Sequence, residues 1–525
     1  MSTLDRRSFL VLAGAGAAAC TLPRTAHVPA FDCVIRGGRV IDGTGGPEQS
    51  LDIGILGDTI RALDRIDPEQ ARSVIDARGL CVAPGFIDIH THSDGDIFEY
   101  PDDESRVFQG VTTEVTGNCG GSAAPGERWG SVSAYFRALE MRAVATNQVL
   151  LLGQGTLRKA VAGLENRALT PSELERVLRM LEQGLEQGAA GLSTGLEYTP
   201  GRYTPTEELI ALARVLARRG KLYASHIRNE EAGLQESIAE ALAIGRESGA
   251  RVQISHLKAA GRPNWPKQAA AIAAIERARE SGLDVLADAY PYTAYSTGLS
   301  IFLSDATREG GRDAILGRLA DPAQRERIRA ELGPRIASDP GEYELVVVAG
   351  RDLASIARER QVEPAEALLQ LLEEGGTDVG FVGHAMSEEN VVRVLTHPLV
   401  MVGSDGYALA PRGKALEGKP HPRSYGTFAR VLQKYVREER VLDLRTAVHK
   451  MSGMPAAQLR LADRGRIARG LKADLVLFDA ARVKDESSFE DPHHLASGFA
   501  HVLVNGVAVI ADGQSTGERP GRALS

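Results

Sequence analysis

The chain has 525 residues, 43% of them hydrophobic and 25% charged, and a formal net charge of -8 from 61 basic and 69 acidic side chains. A chain this long exceeds what one hydrophobic core usually serves, so one large domain with a smaller companion is expected. The charges form no long block and no basic stripe, which argues against nucleic acid or an anionic membrane as partner, and no internal apolar run reaches the ~18 residues of a membrane span.

The first segment stands apart. Arg6-Arg7-Ser8-Phe9-Leu10 precedes the apolar, small-residue run VLAGAGAAAC, the order of an export signal of twin-arginine type over residues 1–29. A bacterial periplasmic protein is expected. Cys20, at the end of the run, is a candidate lipid anchor, although the AAA before it departs from the usual lipoprotein pattern.

From 30 to 83, short β-rich runs such as DCVIRGGRVID and LDIGILGDTIRAL alternate with Gly, Asp and Pro turns, as strands do. The same texture returns over 462–525 in ADLVLFDA and HVLVNGVAVIADG. Both ends therefore predict one small β-sandwich built from the two termini. Between them, 84–461 alternates apolar strands with Ala/Leu/Glu/Arg-rich helical stretches, the pattern of a distorted (β/α)8 barrel of the α/β class. Nine segments compete for eight strand positions: GFIDIH, TTEVTG, QVLLLG, AAGLSTG, KLYASHI, RVQISHL, LDVLADAY, VGFVGH and PLVMVGSD. The surplus falls near VGFVGH, because 305–377 reads as a mostly helical, charged insertion over the barrel mouth.

Four cysteines at 20, 33, 81 and 119 do not make a disulfide framework. Cys33 and Cys81 lie in strand-like runs and read as small core residues. Cys119 closes TTEVTGNC, where a thiolate would be a strong zinc ligand. His90 and His92 sit two apart at the end of a strand, so period two puts both imidazoles on one face. His226 in YASHI, His256 in QISHL and Asp405 in VMVGSD close further apolar strands. These positions converge on one barrel mouth, where such barrels carry their chemistry. His384 also follows an apolar strand and is expected in the pocket without being a ligand. The remaining histidines, 27, 397, 421, 449, 493, 494 and 501, fall in loops, helices or terminal segments and stay off the metal.

The segments PGFIDIHTHSD, GVTTEVTGNCGGSAAP, GLSTGLEYTPGRY, YASHIRNE, QISHLK, DAYPYTA, VGSDG and HPRSYGTFARVL together resemble the amidohydrolase superfamily, in its D-aminoacylase or N-acyl-D-amino-acid deacylase branch. The resemblance implies a zinc enzyme that hydrolyses an amide bond of a small N-acyl amino acid. It implies that Cys119, His226 and His256 hold a tight Zn2+, that His90, His92 and Asp405 line a second, weaker position, and that Asp405 is the general base. It also points to Tyr198 and Lys258 as ligands of the substrate's free carboxylate, with Arg423 a further candidate for a bidentate grip. YSTGLSIFLSD, after DAYPYTA, offers no Lys or Arg before Arg308, which favours a neutral or hydrophobic amino-acid side chain. Gln154 stands where the family pattern leads one to expect histidine. Rival readings are a cyclic-amide hydrolase, a dipeptidase acting on C-terminal D-residues, and a non-catalytic exported metal-binding protein.

Overall fold

The computed structural model describes residues 29–336, 345–377 and 379–525. The export signal, all but its last residue, and Cys20 lie outside them.

Eight parallel strands make the barrel: β1 (Phe86–Asp88), β2 (Val111–Thr116), β3 (Asn147–Gly153), β4 (Gly191–Gly195), β5 (Leu222–His226), β6 (Arg251–Ile254), β7 (Val285–Ala289) and β8 (Val400–Val402). Every residue of these strands is buried, because helices cover the outside and side chains fill the inside. Ile89, Val115, Val149, Leu151, Ala224, Leu286 and Met401 pack together as one interior layer. Neighbours run in sequence order from β1 to β7, with β8 beside β7. The ring closes where the strands end: Thr91 and Gly406 form a parallel bridge, the Asp405 amide donates to the His90 carbonyl at 2.8 Å, and the His92 amide donates to the Gly406 carbonyl at 2.8 Å.

The covering helices follow local rules. The helix Pro171–Glu186 starts with a reciprocal cap between Thr170 and Glu173 and has proline in its first turn, satisfying orphan donors at its start. It buries Val177, Leu181 and Leu185 at helical spacing. Gly184 completes that face, where a Cβ would press 2.7 Å from Leu152 of β3.

VGFVGH is the surplus strand. Its core, Gly380–Gly383, leaves the barrel and joins an antiparallel sheet with Tyr295–Gly298, Val346–Val348 and Arg351–Asp352. The inserted subdomain therefore extends beyond 305–377 on both sides and carries its own core, including Leu299, Ile315, Leu353, Leu368 and Phe381. Tyr198 and Tyr295 pack against that core, which seats the insertion beside the mouth.

The two chain ends meet as a β-sandwich. Cys81–Pro84 pairs antiparallel with Leu475–Phe478, inside a six-stranded sheet that faces the four-stranded sheet of Phe31–Arg36, Asp52–Leu56, Thr59–Asp64 and Ala71–Asp76. Ile35, Ile53, Ile55, Val82, Leu475 and Leu477 fill the space between them. The last strand, Ala523–Leu524, leaves the sandwich and pairs with β3 of the barrel at Ala523 and Gln148. Among the described residues no helix is long and apolar enough to cross a membrane.

Candidate metal centre

The strand ends deliver the site. His90 and His92 follow β1, Cys119 follows β2, His226 ends β5, His256 follows β6 and Asp405 follows β8. Three of these residues have left-handed backbones: φ is 51° at Cys119, 34° at His256 and 53° at Asp405. Such angles in non-glycine residues cost on the order of 1–3 kcal/mol each and persist where the surroundings over-determine them. Here the sharp turn swings each side chain from its strand direction into the mouth. Gly195 makes room for the Cys119 turn, since a Cβ there would lie 2.0 Å from the Cys119 carbonyl oxygen.

Cys119 is the hub. Its Sγ lies 3.3 Å from His90 Nε2 and 3.5 Å from His256 Nε2, and Asp405 Oδ1 lies 2.8 Å from His92 Nε2 and 3.4 Å from His90 Nε2. Burial pushes the Cys119 thiol up, but His90 and His256 outweigh it and hold the pKa well below the ordinary cysteine value. A thiolate is the result. Burial likewise opposes ionisation of Asp405, and Arg423, His90 and His92 overcome it, so its pKa falls well below the carboxylate range. For His90, Asp288, Cys119 and Asp405 outweigh burial and raise the imidazole well above its usual value.

These groups fit a metal ion. Ligand atoms of His90, Cys119, His256 and Asp405 lie within 4.8 Å of one another, as do those of His226, Glu230 and His256. Thiolate, imidazole and carboxylate are the donors zinc takes, and bonds of ~2.0–2.3 Å imply donor separations of ~3.3–3.8 Å in a tetrahedron. The two sulfur-to-nitrogen distances match that edge. His226 Nδ1 is buried with no hydrogen-bond partner among the described residues, as a nitrogen reserved for a cation would be.

With this geometry in hand, comparison with known proteins is specific. A profile of the amidohydrolase family matches residues 73–510. The N-acyl-D-glutamate deacylase of Alcaligenes xylosoxydans xylosoxydans is 39% identical over 94% of this chain and 96% of its own length. The chain belongs to the amidohydrolase superfamily, in the N-acyl-D-amino-acid deacylase branch. The D-aminoacylase of the same organism is 36% identical over 94% of this chain and 98% of its own. A crystal structure of N-acyl-D-glutamate deacylase from Bordetella bronchiseptica, bound to zinc and a phosphonate inhibitor, superposes with a TM-score of 0.82 at 36% identity, covering 94% of this chain and 99% of that one.

Of the three residues expected to meet substrate, Tyr198 and Lys258 line the mouth of this amidohydrolase and Arg423 lies beside it. A cleft of about 480 Å³ is bordered by Tyr198, His256, Lys258, Asp405 and residues of the insertion. The Tyr198 ring lies 4.6 Å from the His226 ring, and its hydroxyl accepts from Thr297 Oγ1 at 3.2 Å. Arg423 is buried beside the cleft, with Nη1 2.7 Å from Asp405 Oδ2 and Nη2 donating to the Ser296 carbonyl at 3.3 Å. Lys258 Nζ is 2.6 Å from Glu230 Oε2. Burial pulls the Lys258 ammonium down, but Glu230 and Tyr290 outweigh it and keep it charged.

Several partners escape the reading of the sequence. Asp288 on β7 accepts from His90 Nδ1 at 3.1 Å and from the His256 amide at 2.9 Å. Glu197 sits 3.1 Å from His226 Nε2. Tyr290 lies between the two cations, with Arg423 over its ring at 4.9 Å and Lys258 at 5.8 Å. Each follows or ends a strand like the predicted ligands, and that position was the signal available. One expectation shifts. His384 does not border the cleft: it packs 4.7 Å from the Phe489 ring, because its strand belongs to the insertion sheet. Gln154 is also buried away from the cleft, donating to Thr204 Oγ1 at 2.9 Å.

Proposed function

We propose that this amidohydrolase hydrolyses the amide bond of N-acyl-D-amino acids, releasing a carboxylate and a free D-amino acid with a neutral or apolar side chain. The observation that carries the reading is the Cys119 thiolate among imidazoles and Asp405 at the barrel mouth. The near full-length similarity to enzymes named for D-amino-acid deacylation supports the substrate class and the D configuration.

Cys119, His226 and His256 would hold the working Zn2+, and His90, His92 and Asp405 a second, weaker position; the unpartnered His226 Nδ1 favours this assignment. Zinc, when bound, lowers the pKa of water towards about 7 and polarises a carbonyl. Asp405 is ionised at neutral pH, so it takes the proton of the attacking water and hands it to the leaving nitrogen. An amine leaves readily only once protonated. Arg423 engages Asp405 and one carbonyl in this structure, and a guanidinium has five N–H donors, so donors remain for the substrate's α-carboxylate. Lys258 and Tyr198 border the same cleft and would meet the same anion.

The far side of the cleft supports the side-chain preference. Tyr295, Thr297, Ile301 and Phe302 offer apolar and neutral surface. Retention of Asp405 and both HxH histidines argues against a non-catalytic metal-binding protein.

A panel of N-acetyl-D- and N-acetyl-L-amino acids, with dipeptides ending in a D-residue as a third arm, tests the reading through released amine. D-substrates with neutral or apolar side chains should lead N-acetyl-D-glutamate in kcat/KM by about tenfold or more, and Asp405→Asn should lower kcat by roughly 10²–10⁴ with KM little changed. Faster hydrolysis of the L series, or wild-type turnover in Asp405→Asn, would overturn it. We also propose export through Arg6-Arg7: replacing both by lysine should leave the protein in the cytoplasmic fraction, and unchanged fractionation would sink that idea.

A further inference from the structure

Glu230 lies four residues beyond His226, in the loop after β5, with its carboxylate buried at 6% exposure. Its Oε1 is 2.9 Å from His256 Nδ1 and 2.7 Å from Lys258 Nζ, while Oε2 is 2.6 Å from the same ammonium. Lys258 Nζ is in turn 3.0 Å from His256 Nδ1. Nδ1 thus has two neighbours with opposite demands. The ammonium can only donate, and a Lys258 N–H spent on Nδ1 would leave the neutral imidazole's hydrogen on Nε2. The carboxylate can only accept, and a hydrogen on Nδ1 pointing at Glu230 leaves the Nε2 lone pair bare.

Nε2 is the atom that matters, because it faces Cys119 Sγ at 3.5 Å. We propose that Glu230 is a positioning residue that selects the metal-binding tautomer of His256 and withholds Lys258 from Nδ1. One oxygen collects both N–H groups. The Lys258 ammonium is thereby anchored toward the cleft, where a substrate carboxylate would meet it. Asp288 serves His90 in the same sense through Nδ1, but among the described residues no cation competes for that nitrogen within hydrogen-bond distance. The inference rests on the zinc reading of the site and not on which amide is cleaved.

The test uses zinc affinity, measured by competition with a chromophoric chelator on the full-length, zinc-depleted protein. Glu230→Ala should weaken zinc 10–100-fold, the usual cost of losing a partner of a metal-bound histidine. Adding Lys258→Met should recover most of that loss, since the competing donor is gone. A merely structural role for Glu230 predicts no recovery. Wild-type zinc affinity in Glu230→Ala, or a double variant binding zinc no more tightly than Glu230→Ala alone, would overturn the proposal. Should Glu230→Ala fail to fold, nitrogen NMR of the zinc-loaded wild type with labelled imidazoles decides. The signal lost in His256→Asn should carry its hydrogen on Nδ1, and a hydrogen on Nε2 refutes the assignment. No amide substrate enters either measurement, so the deacylase reading stands or falls separately.

Discussion

Cys119, His256 and Asp405 hold left-handed backbones with side chains that no glycine could supply, and the sequence marked all three as strand-end residues. The marking rested on type and context: a thiol, an imidazole and a carboxylate, each closing an apolar run. Partners such as Asp288 and Glu230 were not legible, because a carboxylate within or just beyond a strand looks the same whether it orients a histidine or caps a turn. Only closure of the barrel, with β8 between β7 and β1, brings Asp288 Oδ1 to His90 Nδ1. At this scale the ligands should also be unequal. In the proposed assignment Cys119, shared among the imidazoles, would hold the working ion, whereas His90 would line the weaker position. Cys119→Ala should therefore lower zinc affinity by on the order of a hundredfold, and His90→Ala by much less. Metal content after dialysis against a graded chelator checks this, and equal losses would remove the distinction.

Elements explain why one strand candidate was surplus. VGFVGH has the apolar run and polar ending of a barrel strand, yet pairs antiparallel with Tyr295–Gly298. Composition does not distinguish a barrel strand from one in a lid-side sheet; partner and direction do, and both are properties of the assembled fold. Its histidine accordingly packs edge-on against Phe489 and does not border the cleft. A second case lies behind β8, where the helix Leu444–Met451 buries Lys450. The ammonium donates to the His397 carbonyl and to the Val400 carbonyl, the latter at 2.6 Å. Burial nevertheless pulls its pKa from 10.5 to about 8. Between those values the unfolded chain binds a proton that the folded chain does not, so this residue's contribution to stability rises with pH through that window and its cost is fully present below about 8. Relative to Lys450→Met, the wild type should gain on the order of 2 kcal/mol between pH 8 and pH 10. Urea unfolding of both proteins across that range is the check, and a constant difference would contradict it.

The whole molecule depends on closure at the site. β1 and β8 join mainly through the segments that carry His90, His92 and Asp405, by the amide of Asp405 on His90 and the amide of His92 on Gly406. An ion held in the second position by His90, His92 and Asp405 would tie the first strand to the last and offset the strained turn at Asp405, so metal would stabilise the fold as well as the chemistry. At free zinc a thousand times its dissociation constant the gain is ~4 kcal/mol. Chelation should lower the apparent Tm by about 5 °C or more and readdition of zinc should restore it; an unchanged melting curve would uncouple metal from closure. The class of fold, the two-ended sandwich and the six candidate metal-site residues were legible in the sequence itself, since alternation of apolar runs and the donor type at each strand end are local properties. The tertiary structure alone decided which strand leaves the barrel, where the last strand docks, and which buried carboxylates orient the histidines. Those depend on contacts between residues far apart in the chain, and a pattern of one residue after another does not contain them.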